Sequence, residues 1–138
     1  MKLSTNKIHL RIQLLKESRL KLLRLHKLLV DRERENFENL NGKISSGHYL
    51  NLLVNDTNFE WLRKFSTLIA EIDEMLDLDD GYAIDMVDKY LSQMRDLLDA
   101  KTIDEDFNKK FKSVLQVNFE VAEKRKEIVK LIRECIRT

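Results

Sequence analysis

An all-α fold, an up-down four-helix bundle, is what this sequence predicts, and three observations predict it. The 138 residues contain no proline and only three glycines, too few for the many tight turns of an all-β fold. Hydrophobic residues make up 43% of the chain, enough for a packed core and too many for a disordered one. They recur at helical spacing, with polar residues behind them, in segments joined by short connections that make neighbours antiparallel. The length suits one domain spanning 1–138.

The first helix is expected from about Ser4 to Leu40. Ser4 or Thr5 can cap its start, and Asn41-Gly42 supplies a stop. Ile8, Ile12, Leu15, Leu22, Leu29, Val30, Phe37 and Leu40 define its apolar face. Residues 43–56 form a connector, in which Ser46 can cap a short helical turn through His48 and Leu53. A second main helix starts near Asp56 or Thr57 and runs to about Leu78, with Leu62, Phe65, Ile69, Ile72 and Leu76 on one face. Glu60 in its first turn suits the helix dipole. Asp79-Asp80-Gly81 is a turn, and Asp80 can cap a third main helix from Tyr82 to about Asp99. Its stripe is Ala83, Val87, Tyr90, Leu91, Met94 and Leu98. Thr102 and Glu105 have capping-box spacing and open a last helix reaching about Ile136, with Phe107, Phe111, Val114, Val121 and Ile132 inward.

Helix length carries a first functional expectation. At 1.5 Å per residue the first and last helices span roughly 50 Å and the middle two roughly 30 Å. The start of the first helix and the end of the last should therefore project together. Both stay apolar there, through Ile8, Ile12 and Leu15 in one and Ile128, Val129, Ile132 and Ile136 in the other. Such a projection is expected to be covered by a second copy or another protein, unless the first helix bends back.

Charge is segregated along the chain although the net charge is +1. Residues 1–32 hold nine Lys or Arg against two acids, whereas 71–106 hold thirteen Asp or Glu against three bases. The two segments can neutralise each other within one fold or pair between copies. No aromatic residue lies in 1–36, so a stacking platform for single-stranded nucleic acid is missing there, and no nucleic-acid partner is expected.

Polar residues interrupt the expected core. Arg19, His26 and Glu33 fall on the apolar side of the first helix at seven-residue spacing, which is two turns. Asn118 and Arg125 do the same in the last helix. These five either form a structural network that fixes register, or sit half-solvated at the projecting end, or line a pocket for a small anion such as a phosphate or carboxylate.

Other chemistries are poorly represented. No Glu-x-x-His pair for a bundle di-metal site occurs, and one cysteine with three scattered histidines makes a zinc site improbable. Walker A, GxGxxG and GxSxG patterns are lacking. No catalytic residue, metal or cofactor is therefore expected. The acidic run from Glu71 to Asp80 reads as a solvated face. No run of about 18 apolar residues suggests a membrane span, and no secretory leader is expected. The single Cys135 excludes an internal disulfide and fits a reducing compartment, so a cytoplasmic location is expected.

Two resemblances add to this reading. Arg19 and His26, six residues apart between them, resemble the Arg-x4–6-His motif of the HEPN family of helical ribonucleases, although Leu20 stands where that family carries a polar residue. That resemblance implies an RNA-cleaving pair at a dimer interface. Leu25-His26-Lys27-Leu28-Leu29, the connector from Gly47 to Leu53, and Phe59-Glu60-Trp61-Leu62-Arg63 through Ile72-Asp73-Glu74 resemble a group of small bacterial all-helical proteins. The group carries no established activity, but the resemblance marks His26, Trp61, Arg63 and Asp73 for testing together. From the residues alone, Trp61 reads as a plug at the bundle end, and Arg63 as a surface charge or a cap for the connector. The leading functional expectation is a non-enzymatic, self-associating interaction or regulatory bundle. An anion-binding bundle and a HEPN-like ribonuclease are the alternatives.

Overall fold

The computed structural model describes residues 5–78 and 84–137, with side chains described over 7–78 and 84–134. Every described element is helical. They are α1 (Thr5–Asn41), α2 (Ser46–Asn55), a 3₁₀ helix (Thr57–Leu62), α3 (Arg63–Leu76), α4 (Ile84–Leu98), α5 (Glu105–Val117) and α6 (Phe119–Arg137). The all-helical class holds; among the described residues six α-helices stand where four main helices and a connector were expected.

Local chemistry explains the differences. The connector is a helix of nearly three turns, capped one residue earlier than expected, by Ser45, whose hydroxyl accepts from His48 N at 3.1 Å. Asp56 closes α2 and caps the next element, accepting from Asn58 N at 2.8 Å. The second main helix therefore begins as a 3₁₀ turn and becomes α-helical only at Arg63. The expected cap Asp80 and the stripe residue Ala83 lie outside the described residues.

The expected last helix is two helices. Asn118 is extended (φ −119, ψ 105); its N–H donates to Val114 O at 2.9 Å, and its side-chain oxygen accepts from Val121 N at 3.0 Å. It thus ends α5 and caps α6 in a single residue. Val114, Val121 and Ile128 remain seven apart and all buried, so the apolar phase runs across the break. That is why periodicity alone reads one helix. The expected capping box is likewise replaced: Asp104 caps α5, accepting from Phe107 N at 3.1 Å.

α1 is the spine. Its 37 residues, about 55 Å at 1.5 Å per residue, touch α3, α4, α6 and the 3₁₀ turn, and its most extensive pairing is with α6. Its inner seam is Leu15, Ser18, Leu22, Leu25 and Leu29, all inaccessible to solvent. Leu40, expected in the core, is 86% exposed. Around this spine an aromatic cluster fills the centre. Phe65 lies 5.3 Å from Phe111 and 5.6 Å from Phe107, ring centre to ring centre, and Trp61 is 6.3 Å from Phe107.

The expected apolar projection is enclosed by the chain itself. α4 contacts both α1 and α6, completing a three-helix package around the first half of α1. Leu15, Ile128, Val129 and Ile132 are buried there, and Ile8 and Ile12 are half-buried. Leu15, Ile128, Val129 and Ile132 consequently belong to the intramolecular core, and Ile12 packs against it. The side chain of Ile136 lies outside the described residues.

Candidate functional site

The polar residues of α1 lie beside the seam rather than on it. Arg19, His26 and Glu33 each follow a buried leucine (Leu15, Leu22, Leu29) by four residues, while Ser18 and Leu25 take the inward positions three residues on. Three residues fall 60° short of a full turn and four run 40° past it, so with the buried row on the first side these side chains lie at its edge. All three are half-buried.

Each has its own partners. Arg19 reaches α3, donating from Nη1 to Asp73 Oδ1 at 2.7 Å, and its Nε is buried with no hydrogen-bond partner. This contact joins a residue from the polar seam to one marked by the second resemblance. His26 stacks at 6.2 Å from Phe65, and burial holds its pKa below the usual 6.5, a backbone hydrogen bond at Leu62 acting the other way. Glu33 pairs with Arg32 at 3.2 Å, and burial raises its carboxyl pKa above 4.5 against the nearby positive charges of Arg32 and Lys110. Tyr49, whose hydroxyl donates to Val30 O at 2.7 Å, is pushed up to about 12, first by burial and then by the Glu33 charge.

The remaining candidates hold helix ends. Asn118 is the α5–α6 break. Arg125 crosses from α6 to the end of α4, donating from Nε to Leu98 O and from Nη2 to Asp99 Oδ1, both at 2.8 Å. Arg95 Nε holds the other Asp99 oxygen at 2.8 Å. A cation is favourable at a helix C-terminus because the last carbonyls are unpaired there. Arg63 does the same for α2, donating to the carbonyls of Leu53 and Val54. Trp61 is buried against Phe107. Positions that sequence reading marks for chemistry are thus used in joining elements. Among the described residues, no three His, Cys, Asp or Glu are grouped to hold a metal ion. None of the described helices is long and apolar enough to cross a membrane.

A surface feature that periodicity could not reveal lies between α3 and α4. A groove of about 580 Å3 runs there, with Leu68 and Leu97 at its base. Acids (Glu71, Asp96) and bases (Lys64, Lys101) both line it. Ile103, in the loop joining α4 to α5, stands over it with 104% relative exposure.

That loop is rigidly built. Ala100 adopts φ 54, and the chain closes α4 with Ala100 N donating to Leu97 O at 3.1 Å and Lys101 N donating to Asp96 O at 2.9 Å. The Asn108 side chain, almost wholly buried, then holds Thr102. Its oxygen accepts from Thr102 N at 3.0 Å and from the Thr102 hydroxyl at 2.9 Å, and its Nδ2 donates to Thr102 O at 2.9 Å. Asp104 caps α5 on the other side. Ile103 is therefore fixed in water between two anchored neighbours. Asn108 at the fourth position of a helix behind Thr102 is the one sequence signal that could have marked this loop.

Comparison of the chain with protein-family models, with curated proteins and with solved structures gives no match.

Proposed function

We propose that this chain is a non-catalytic interaction module that pairs with a second copy of itself through the α3–α4 groove and the Ile103 loop. The observation that carries the reading is Ile103. A fully exposed isoleucine gains nothing for the folded chain, yet the loop that presents it is held by part-buried hydrogen bonds to the buried Asn108. A side chain ordered before binding loses little entropy when it docks.

Two features favour a second copy as the occupant. The knob, Ile103, and the hollow, floored by Leu68 and Leu97, lie on the same face. Under a two-fold axis each knob enters the other copy's hollow, and the face is its own complement. The rim also carries both signs of charge, so acids of one copy can meet bases of the other. This contact replaces the one expected from helix lengths, whose principal side chains are buried in the core.

Native mass spectrometry and sedimentation velocity test the proposal. A dimer is expected at micromolar concentration and lost in Ile103→Glu; diluted until both are monomeric, the two chains should melt at the same temperature, because Ile103 makes no core contact. A wild-type chain that stays monomeric, or an Ile103→Glu variant that stays dimeric, overturns it.

A further inference from the structure

Beyond self-pairing, we infer that the outer side of α6 binds an acidic amphipathic helical segment of another protein. The site is a second groove, about 600 Å3, at the α5–α6 elbow. Leu115, Ala122 and Val129 give it an apolar base, and Lys126, Lys130 and Arg133 line its edge.

Three observations identify the occupant. First, Lys126, Lys130 and Arg133 make no ion pair or hydrogen bond among the described residues, whereas Arg125 in the same groove is committed to Asp99 and Leu98. Three cations against the single carboxylate of Glu123 leave this side of the helix net positive. Second, their spacing is helical. They follow one another by four and three residues over about 10 Å, so a second helix with carboxylates at the same interval meets all three in register. Third, the surface is amphipathic. Phe119, 80% exposed, shares their side of α6, lying within 40° of each of them at 100° per residue, and Val117 beside the break is 73% exposed. An acidic segment that also carries apolar residues satisfies both parts, as in other helix-in-groove contacts. Glu123 is the one acid in the lining and shares this side of α6, so three cations there face one carboxylate. A concave floor fits a rod-like segment better than a flat bilayer.

The test uses fluorescence anisotropy of a short labelled synthetic helix with Leu at i, i+3, i+4 and i+7 flanked by Glu, titrated with the full chain. The Glu peptide is expected to bind, and a matched peptide with Lys for Glu is not. Lys126→Glu with Lys130→Glu, both at exposed positions, should weaken binding at least tenfold while thermal melting is retained. Phe119→Ser, which leaves the charge unchanged, should weaken it several-fold. Self-pairing should persist in these variants, which separates this site from the Ile103 face. Absence of binding at physiological ionic strength, equal binding of the Lys peptide, or equal binding by the double variant overturns the inference. Tighter binding to phosphatidylserine vesicles than to the Glu peptide, abolished by the same substitutions, also overturns it by assigning the face to a membrane surface.

Discussion

His26 and Glu33 sit two turns apart on α1 and pull the pH dependence of stability in opposite directions. The folded pKa of His26 lies below 6.5, so the unfolded chain takes up the proton more readily. Its contribution is complete above pH 6.5 and is lost as pH falls toward the lowered folded value. The folded pKa of Glu33 lies above 4.5, so the folded chain holds that proton longer. Ionising Glu33 therefore costs stability as pH rises from 4.5 through the raised value. Between these limits the wild-type slope is a difference of two effects. Urea denaturation across pH 4.5–7 should show stability rising more steeply with pH in Glu33→Gln than in wild type, and more weakly or falling in His26→Leu. Parallel slopes in all three chains would falsify this assignment. The Arg19–Asp73 contact is part-exposed, so Asp73→Asn should cost only about 1 kcal/mol. These residues were legible as an interruption of an apolar face. Their displacement to its edge was not, because a seven-residue repeat gives the same spacing to a seam and to the row beside it. Only the burial of Ser18 and Leu25 identifies which row faces inward.

Helix ends decide how far the elements could be read. Asn41-Gly42 ends α1 as expected, with Gly42 at φ 89, where a residue without Cβ is unstrained. Asn118 was misread because an asparagine between two apolar residues within a continuous stripe looks like a polar core residue. Its capping role depends on a backbone angle that periodicity does not contain. Asn118→Ala should cost about 1 kcal/mol, the usual loss for a cap, and shift the thermal midpoint by roughly 4 °C. Calorimetry would show it, and an unchanged midpoint would mean the break is held by packing alone. The α4–α5 loop gives a larger expected effect. Asn108→Ala removes three hydrogen bonds and leaves Thr102 groups without partners, a loss of about 2–3 kcal/mol. The same variant should weaken self-pairing more than its stability loss explains, since Ile103 is then no longer held in place. Thr102 and Glu105 were read as a capping box because the spacing is right. Asp104, one residue before the helix, supplies the stronger cap.

Across the whole molecule the segregated charge is partly neutralised inside one chain. Arg11 of α1 meets both oxygens of Asp88 in α4 at 2.9 Å, and Arg19 meets Asp73 in α3. Such exposed pairs contribute about 0–1 kcal/mol each, so moderate salt should change stability little while weakening contacts made by the α6 face. The centre is where stability concentrates. Phe65 is inaccessible and touches His26, Phe107 and Phe111, which joins α1, α3 and α5. Phe65→Ala should cost about 3–5 kcal/mol, a large share of the roughly 5–15 kcal/mol that holds a domain together. Chemical denaturation would show the midpoint fall. The helical class was legible because glycine, proline and apolar spacing all agree. The arrangement was not, since whether α4 covers the end of the spine depends on packing angles that a linear pattern does not encode.

The pairing of α1 with α6 has a consequence for biosynthesis. α1 is made before each helix that covers it, and its broadest neighbour follows about a hundred residues later. At about 5–20 residues per second, the leucine row from Leu15 to Leu29 waits on the order of ten seconds before that cover exists. During this interval the nascent chain carries a long apolar stripe flanked by lysines and arginines. Synthesis of α6 therefore sets the earliest moment at which this row can be fully covered.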